Sequence, residues 1–189
     1  MAILAGLCEA IDARPYMRGH GGRVGELAEA IALRLGWGAG RLRRLRIGAL
    51  LHDVGKLAVA DTVWHKAERL TDSEVAAIRR HPAAGVRILA RQADFRFVIP
   101  QVLFHHERWD GRGYPHRRSG DSIPLEARVL AVADAFDAMT SPRAYRPALP
   151  VREALAEIER CAGSQFDPIV AGTFVELRSH PRRLLAAGE

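Results

Sequence analysis

The sequence predicts an all-α fold, a bundle of about seven or more helices in one domain spanning residues 1–189. Apolar residues recur every three or four positions along most of the chain, which is the period of an amphipathic helix. The alternating pattern of a half-buried strand is nearly absent. With 189 residues, of which 48% are hydrophobic, the chain is long enough to bury one substantial core.

The first helices are predicted from periodicity and from their end signals. One runs from Val24 to Leu35 and ends at a Gly-Trp-Gly segment, and the second covers residues 41–51. Thr71 followed by Glu74 is a capping-box pattern, so a third helix starts there. It should end near His81, because the residue before a proline disfavours the helical conformation.

Proline positions and capping signals predict the remaining helices. Pro82 suits the first turn of the next helix, and Pro100 the start of a short helix that carries His105 and His106. Further helices are predicted over residues 125–139 and 151–161. Asp167 caps a last helix that ends near residue 178.

The composition narrows the class of protein. A net charge of +6 is compatible with a nucleic-acid partner, but the basic residues are scattered and lack a stacking aromatic array, so we expect an anionic small molecule and no nucleic-acid polymer. No apolar run approaches the roughly 18 residues of a membrane span. The first residues lack a basic leader, which predicts a cytoplasmic protein with no membrane contact. Cys8 and Cys161 are expected to be reduced thiols.

Histidine and aspartate residues in five short segments are candidate metal ligands. Imidazole and carboxylate groups together suit manganese, iron or zinc, and the lack of thiolates disfavours a structural zinc site. The seven candidates are His20, His52, Asp53, His81, His105, His106 and Asp134.

Two of these aspartates are predicted to lie in the core. Asp53 follows an apolar stretch, residues 47–51, and Asp134 follows another, residues 129–133. A buried carboxylate costs several kcal/mol unless a partner compensates its charge. A shared metal site is the simplest partner, with an ion pair to Arg143 or another arginine as the alternative. Lys56 is one of only two lysines among 28 basic residues, which indicates that a compact ammonium is needed there.

These segments together resemble the HD-GYP family of the HD phosphohydrolase superfamily, over about residues 14–175. The resemblance implies a helical bundle, a centre of two or three metals, and hydrolysis of cyclic di-GMP. No separate sensor or receiver domain is expected in the chain. The matching motifs are His52-Asp53 with Gly55-Lys56, the HHExxDGxGYP segment from His105 to Pro115, and residues 133–140, 143–146 and 165–168.

The resemblance also implies how the metals are held. His20, His52, Asp53 and Asp134 match the ligands of one metal, and Asp53, His81, His105 and His106 match those of the second. Asp53 would bridge the two metals, and a bridging hydroxide would attack the phosphorus, which gives linear pGpG and leaves open whether hydrolysis continues to GMP. We expect two divalent ions, because Tyr16 stands where members with a third metal have a glutamate. Iron or manganese is favoured over zinc, because an imidazole-rich site with a bridging carboxylate suits six-coordinate geometry better than a tetrahedral zinc site.

The remaining matched residues have expected roles around this centre. Lys56 would contact the scissile phosphate, with a solvated turn lysine as the alternative. Arg143 and Arg146 would hold the nucleotide phosphates, with surface salt bridges as the alternative. Residues expected behind the ligands or in the loop are Tyr16, Glu107, Asp110, Gly111, Gly113, Tyr114, Pro115 and Asp137.

Two other functions stay open at this point. One is a non-catalytic module that binds the dinucleotide, or contacts a diguanylate cyclase or a regulatory protein through the Gly-Tyr-Pro loop. The other is a hydrolase of a different cyclic dinucleotide. The complete ligand set and Lys56 favour an enzyme, because a receptor has no evident need for a hydroxide-generating site.

Overall fold

The computed structural model describes residues 2–14, 17–64, 66, 68–142 and 147–179 and confirms the all-α class. These residues form ten α-helices and three short 3₁₀ helices, with no β-strand among them. The α-helices are α1 Ala2–Asp12, α2 His20–Arg34, α3 Ala39–Leu51, α4 Asp61–Trp64, α5 Asp72–Ile78, α6 His81–Leu89, α7 Ile99–Phe104, α8 Leu125–Thr140, α9 Val151–Arg160 and α10 Pro168–Ser179. The 3₁₀ helices are Val54–Ala58, Ala93–Val98 and Gly120–Ser122.

Among the described residues, none of the helices has the length and apolar character that crossing a bilayer requires.

The main core lies between α2, α3, α8, α9 and α10. Ile31, Leu45, Leu130, Ile158 and Phe174 are almost fully buried in it. Helices α2 and α3 approach closely, since a Cβ on Gly21 would come within 3.1 Å of the Leu50 Cα atom. This packing fixes the start of α2 against the end of α3, where His20 and His52 lie.

A second, smaller core lies under the 3₁₀ helix Val54–Ala58 and α7. It contains Leu51, Val54, Leu89 and Val102, together with Ile11 from α1. We did not predict α1 from the sequence, because its apolar residues lie on a short helix that buries only Ile11 completely. The second core joins the end of α3 to α6 and α7, which carry or precede three more of the candidate ligands.

Most predicted helix ends are confirmed, and three differ. Helix α2 begins at His20, about one turn before Val24. The capping box at Thr71 is present, and Pro82 lies in the first turn of α6. Helix α5 ends at Ile78 instead of near His81, so His81 is the first residue of α6. Helix α7 ends at Phe104, so it does not carry the two histidines. The chain turns there because the carbonyl of His106 accepts a hydrogen bond from the Tyr114 N–H.

Candidate metal centre

The structure brings all seven candidate ligands together, from α2, α6, α8 and the turns that follow α3 and α7. Five of them, His20, His52, Asp53, His81 and His105, have at most 3% of their surface exposed. Within each of two groups the ligand atoms lie within 4.8 Å of one another. The first group is His20, His52 and Asp134, and the second is Asp53, His81, His105 and His106.

Asp53 lies between the two groups and presents one carboxylate oxygen to each. Its Oδ1 is 3.2 Å from His81 Nε2 and 3.8 Å from His105 Nε2. Its Oδ2 is 3.3 Å from His52 Nε2 and 3.7 Å from His20 Nε2. A carboxylate has two acceptor oxygens, so this one side chain can serve two cations at once.

Backbone carbonyls fix the orientation of three imidazoles. The Nδ1 atoms of His52, His81 and His105 lie 2.6, 2.8 and 3.0 Å from the carbonyl oxygen of the residue three positions earlier in each case. A carbonyl only accepts, so Nδ1 must donate and carry the proton. In the neutral ring Nε2 then has its lone pair available, and these Nε2 atoms are the ones that face Asp53.

His20 is held by carboxylates on α8. Its Nδ1 atom is 2.7 Å from Asp137 Oδ2, and its Nε2 atom is 3.2 Å from Asp134 Oδ1. Arg23 donates to both oxygens of Asp137, at 2.6 and 3.1 Å. We did not identify Arg23 from the sequence. Its position three residues after His20, one turn along the same helix, was the available signal.

The protonation states of the two central carboxylates suit cation binding. Burial would raise the pKa of Asp53, but the charges of Lys56 and His52 outweigh it, and the pKa lies well below its ordinary value. Burial likewise opposes ionisation of Asp134, but its hydrogen bond with His20 lowers the pKa. Both aspartates are therefore negatively charged at neutral pH.

The two adjacent histidines are neutral at the same pH. Burial lowers the pKa of His106 to about 3, with a further contribution from His81. Burial, followed by the neighbouring His106, also holds the pKa of His105 well below its usual value. Neutral imidazoles are the form that binds metals, so neither ring has to lose a proton first.

Unpaired atoms at the middle of the cluster show that the residues fit metal ions. His52 Nε2 and Asp53 Oδ1 are buried and make no hydrogen bond within the described part of the chain. Buried polar atoms without a partner are rare in native proteins and call for one. A divalent cation would satisfy both, and the mixed imidazole and carboxylate donor set suits manganese, iron or zinc.

Lys56 lies beside this cluster on the 3₁₀ helix Val54–Ala58. Its ammonium nitrogen is 2.5 Å from Asp53 Oδ2. Gly55 allows this helix to pack directly on α6, since a Cβ there would come within 1.8 Å of the His81 carbonyl oxygen. The glycine before the lysine therefore sets the distance between Asp53 and His81.

The Gly-Tyr-Pro loop folds back onto the histidine pair. A Cβ on Gly113 would lie 2.4 Å from the Arg108 nitrogen, so only glycine fits there. The Tyr114 ring stacks on His106, with centroids 4.8 Å apart and planes tilted by 25°. The Tyr114–Pro115 peptide bond is cis, and Gly111 has a φ of 77°, which glycine adopts easily.

The two acids of the loop hold the loop itself. Glu107 accepts hydrogen bonds from the backbone N–H groups of His116 and Arg118, at 2.7 and 3.0 Å. Asp110 accepts from the Arg108 guanidinium at 3.0 and 2.7 Å. We expected these acids either to lie behind the ligands or to hold the loop. In the structure, both Glu107 and Asp110 make loop contacts.

A cleft of about 280 Å³ opens beside the cluster. The cluster residues His105, His106 and Asp134 line it, and Arg79 and Arg112 are exposed residues of its wall. We predicted no role for either arginine from the sequence, because Arg79 belongs to no matched motif and Arg112 occupies an unspecified position of the HHExxDGxGYP segment. Three residues predicted near this region, Tyr16, Arg143 and Arg146, lie outside the described residues.

Comparison with curated proteins relates the chain to cyclic-dinucleotide phosphodiesterases. It is 41% identical over 149 residues to the cyclic di-GMP phosphodiesterase response regulator RpfG of Xanthomonas campestris pv. campestris, covering 77% of this chain and 39% of that protein. It is 38% identical over 160 residues to a cyclic di-GMP phosphodiesterase of Thermotoga maritima, covering 84% and 44%. It is 38% identical over 159 residues to the 3'3'-cGAMP-specific phosphodiesterase 3 of Vibrio cholerae, covering 84% and 35%. The chain thus spans less than half the length of these relatives.

Solved structures share the fold. An HD-GYP protein of Bdellovibrio bacteriovorus superimposes with a TM-score of 0.71 at 20% identity, covering 93% of this chain and 57% of that one. A cyclic GMP-AMP phosphodiesterase of V. cholerae gives 0.69 at 21% identity, covering 98% and 50%. The HD domain family matches residues 7–170, which include all seven clustered ligands. The chain therefore belongs to the HD domain family and is of the HD-GYP type.

Proposed function

We propose that the chain is a metal-dependent phosphodiesterase that hydrolyses cyclic di-GMP to linear pGpG. The observation that carries the proposal is Asp53, whose two oxygens face two separate groups of ligands. A site that presents one carboxylate to two cations suits phosphodiester cleavage, where both attacking and leaving oxygens need stabilisation. The curated relatives named as cyclic di-GMP phosphodiesterases support the choice of substrate.

Two divalent ions would be held by the two groups together with Asp53. His20, His52 and Asp134 would hold one ion with Asp53 Oδ2, and the other three histidines would hold the second with Asp53 Oδ1. When bound, such ions lower the pKa of water towards neutrality and polarise a phosphate oxygen. Iron or manganese suits this donor set better than zinc, since a bridging carboxylate with several imidazoles favours six ligands over four.

The surrounding side chains prepare the site for an anionic substrate. The carbonyl contacts of His52, His81 and His105 keep their Nε2 atoms turned inward before any ligand arrives. Lys56 places an ammonium group beside Asp53, within reach of a phosphate at the cluster. Its charge would stabilise the negative charge that develops on the phosphate oxygens as the bond to the leaving oxygen breaks.

Binding of the nucleotide would draw on the arginines after α8. Arg143 and Arg146 follow Asp134 by nine and twelve residues, and a guanidinium group matches a phosphate with two parallel hydrogen bonds. These residues would hold the substrate without touching the reacting atoms. A second cleavage, of pGpG to GMP, would use the same cluster.

A second candidate substrate is 3'3'-cGAMP. A V. cholerae relative named as specific for it is 38% identical to this chain, the same identity as the T. maritima enzyme named for cyclic di-GMP. The two substrates differ only in one base, so they demand the same phosphate chemistry. A purely receptor role is less well supported, because unpaired ligand atoms are buried at the cluster.

The test is to purify the protein without oxygen, reload it with Fe²⁺ or Mn²⁺, and separate the products by chromatography. Cyclic di-GMP and 3'3'-cGAMP are supplied in parallel, and the Asp53→Ala variant is the control for contaminating activity. We expect pGpG to form in the wild-type reaction alone. Binding of either dinucleotide without any linear product would favour the receptor role instead. Elemental analysis should approach two metals per chain, and a reproducible third would contradict the dinuclear assignment.

A further inference from the structure

Two arginines in the wall of the cleft have no role in the proposed hydrolysis. Arg79 and Arg112 both line the cleft beside His106 and Asp134, and both are exposed. We propose that these two side chains bind the uncleaved phosphate of the cyclic dinucleotide, an inference that rests on the proposed function. They would thereby set the preference for a substrate with two phosphates.

A third arginine of the same cleft, Arg108, has a structural role. The Arg108 guanidinium donates to both oxygens of Asp110 and, at 3.0 Å, to Gln165 Oε1. The contacts with Asp110 lie within the loop, and the contact with Gln165 ties the loop to the turn before α10. Within the described residues, neither Arg79 nor Arg112 makes an ion pair with a carboxylate. Their charges are therefore available to a ligand, whereas the charge of Arg108 is paired with Asp110.

Arg79 is held over the cleft by an aromatic stack. Its guanidinium carbon lies 5.6 Å from the centre of the Tyr114 ring, within the range of a cation–π contact. Tyr114 in turn stacks on His106, a member of the second ligand group. The stack thus places the guanidinium of Arg79 at a fixed offset from the ligand cluster, which a flexible surface arginine would not have.

Arg112 is held through its backbone. Its N–H donates to Asp110 Oδ1 at 3.0 Å, and the preceding Gly111 turns the chain with a φ of 77°. Arg108 forms the ion pair with Asp110, whereas the charge of Arg112 contributes to the lowered pKa of Asp110 without forming an ion pair with it. The backbone contact fixes where the residue starts, and its side chain remains free to reach a ligand in the cleft.

The chemistry of the substrate calls for such a pair. A cyclic dinucleotide carries two phosphodiesters joined in one ring, so when one reaches the buried cluster the other stays at a set distance towards the cleft mouth. That second phosphate retains a full negative charge throughout the reaction. Guanidinium groups bind phosphate oxygens with paired, charge-assisted hydrogen bonds, which makes arginine the fitting side chain.

The experiment compares Arg79→Ala and Arg112→Ala with two matched controls. Arg80→Ala and Arg87→Ala remove exposed arginines of the same region that do not line the cleft. We expect each cleft variant to raise the KM for cyclic di-GMP about tenfold, which corresponds to one charged hydrogen-bonded contact. The controls should stay within about twofold of the wild type.

A second measurement separates the phosphate from the bases. In pGpG the terminal phosphate comes from the cleaved phosphodiester, and the internal linkage is the phosphate that is not cleaved. We therefore compare pGpG with its analogue that carries a neutral methylphosphonate internal linkage, both as competitive inhibitors of initial rates. The ratio of their inhibition constants reports what the charge of the internal phosphate contributes to binding. Loss of Arg79 or Arg112 should reduce this ratio about tenfold.

Three results would overturn the inference. Cleft variants indistinguishable from the Arg80→Ala control would leave the proposed function intact and remove the arginines from substrate binding. An unchanged ratio, with weaker binding of both pGpG and its neutral analogue, would assign the two arginines to a base instead of a phosphate. A metal-loaded wild-type protein that cleaves no cyclic dinucleotide would refute the proposed function itself, and this inference with it.

Discussion

Asp137 orients His20 from behind the cluster, through a hydrogen bond of 2.7 Å between Asp137 Oδ2 and His20 Nδ1. It is the only carboxylate among the described residues that contacts a ligand imidazole at Nδ1; the other three Nδ1 contacts are to carbonyls. A carboxylate in this place fixes the ring and makes Nε2 a stronger base. Arg23, on the same helix as His20, donates to both oxygens of this carboxylate, so α2 and α8 are joined at this point.

Removing this carboxylate should weaken metal binding. Asp137→Ala is expected to reduce the affinity for Mn²⁺ by about 10- to 100-fold, because His20 loses the group that sets its orientation. Asp137→Asn, which keeps an acceptor but not the charge, should lose less. Competition with a chelator measures both. Asp121→Ala, which removes an exposed acid, is the control. Equal affinity in the Ala variant and the control would show that His20 needs no such support.

Substitution of Asp53 should remove more metal ions from the protein than substitution of Asp134. Asp53 faces both ligand groups, whereas Asp134 belongs to one. Asp53→Ala should therefore abolish hydrolysis, release nearly all metal and lower the Tm, since bound metal stabilises the native state. Asp134→Ala should keep about one ion per chain. Elemental analysis and thermal unfolding test this, and near-normal turnover in Asp53→Ala would refute the two-metal mechanism.

Gly55→Ala should damage the cluster without touching a ligand. The new Cβ would lie 1.8 Å from the His81 carbonyl oxygen and 2.4 Å from the Gly85 nitrogen, both backbone atoms that cannot move alone. We expect a loss of about 3 kcal/mol in the free energy of unfolding, together with weaker metal binding. Gly172→Ala, an exposed helix position with open space around it, should be neutral or stabilising. Similar unfolding curves for the two variants would contradict this packing.

The stability of the chelator-treated protein should fall as the pH rises from about 6.5 to about 9. Burial opposes protonation of His20, but hydrogen bonds to Asp134 and Asp137 raise its pKa from 6.5 to about 9. Between these values the folded protein binds a proton that the unfolded chain does not, so stability is fully present below the lower value and is lost through the upper one. The change is at most about 3 kcal/mol.

Denaturant unfolding at several pH values measures this slope. Saturating Mn²⁺ should remove it, because the metal takes the place of the proton on His20. Stability that stays level or rises over this interval in the chelated protein would contradict the raised pKa. Titrating metal into weakly buffered protein should also release protons near neutral pH.

The sequence predicted the fold class because helix periodicity and capping are local properties. The capping box at Thr71 and the proline start of α6 depend on residues a few positions apart, and both are present. The ends near His81 and His105 were placed too late, because the turns there depend on contacts with distant segments. Tyr114, for example, donates to the His106 carbonyl across the Gly-Tyr-Pro loop.

The site residues also divide into those that the sequence predicted and those that only the structure identified. Asp53 and Asp134 stood out because each follows an apolar run, a conflict visible in the sequence itself, and the histidines stood out in segments that match the HD-GYP family. Arg23 and Arg79 did not stand out, since an arginine on a helix is ordinary until the structure places it against Asp137 or Tyr114. Only the folded chain shows which of the described basic residues are used within the protein and which face the cleft.

The carbonyl contacts of His52, His81 and His105 tie ligand orientation to the places where helices stop. Their partners, Ala49, Ile78 and Val102, lie in the last turns of α3, α5 and α7, where carbonyls have no acceptor role within the helix. Each imidazole thus closes a helix end with one nitrogen and turns the other inward. Adding or deleting one residue in such a turn would rotate the ring by about 100°. The ends of α3, α5 and α7 should therefore accept substitutions far more readily than insertions or deletions.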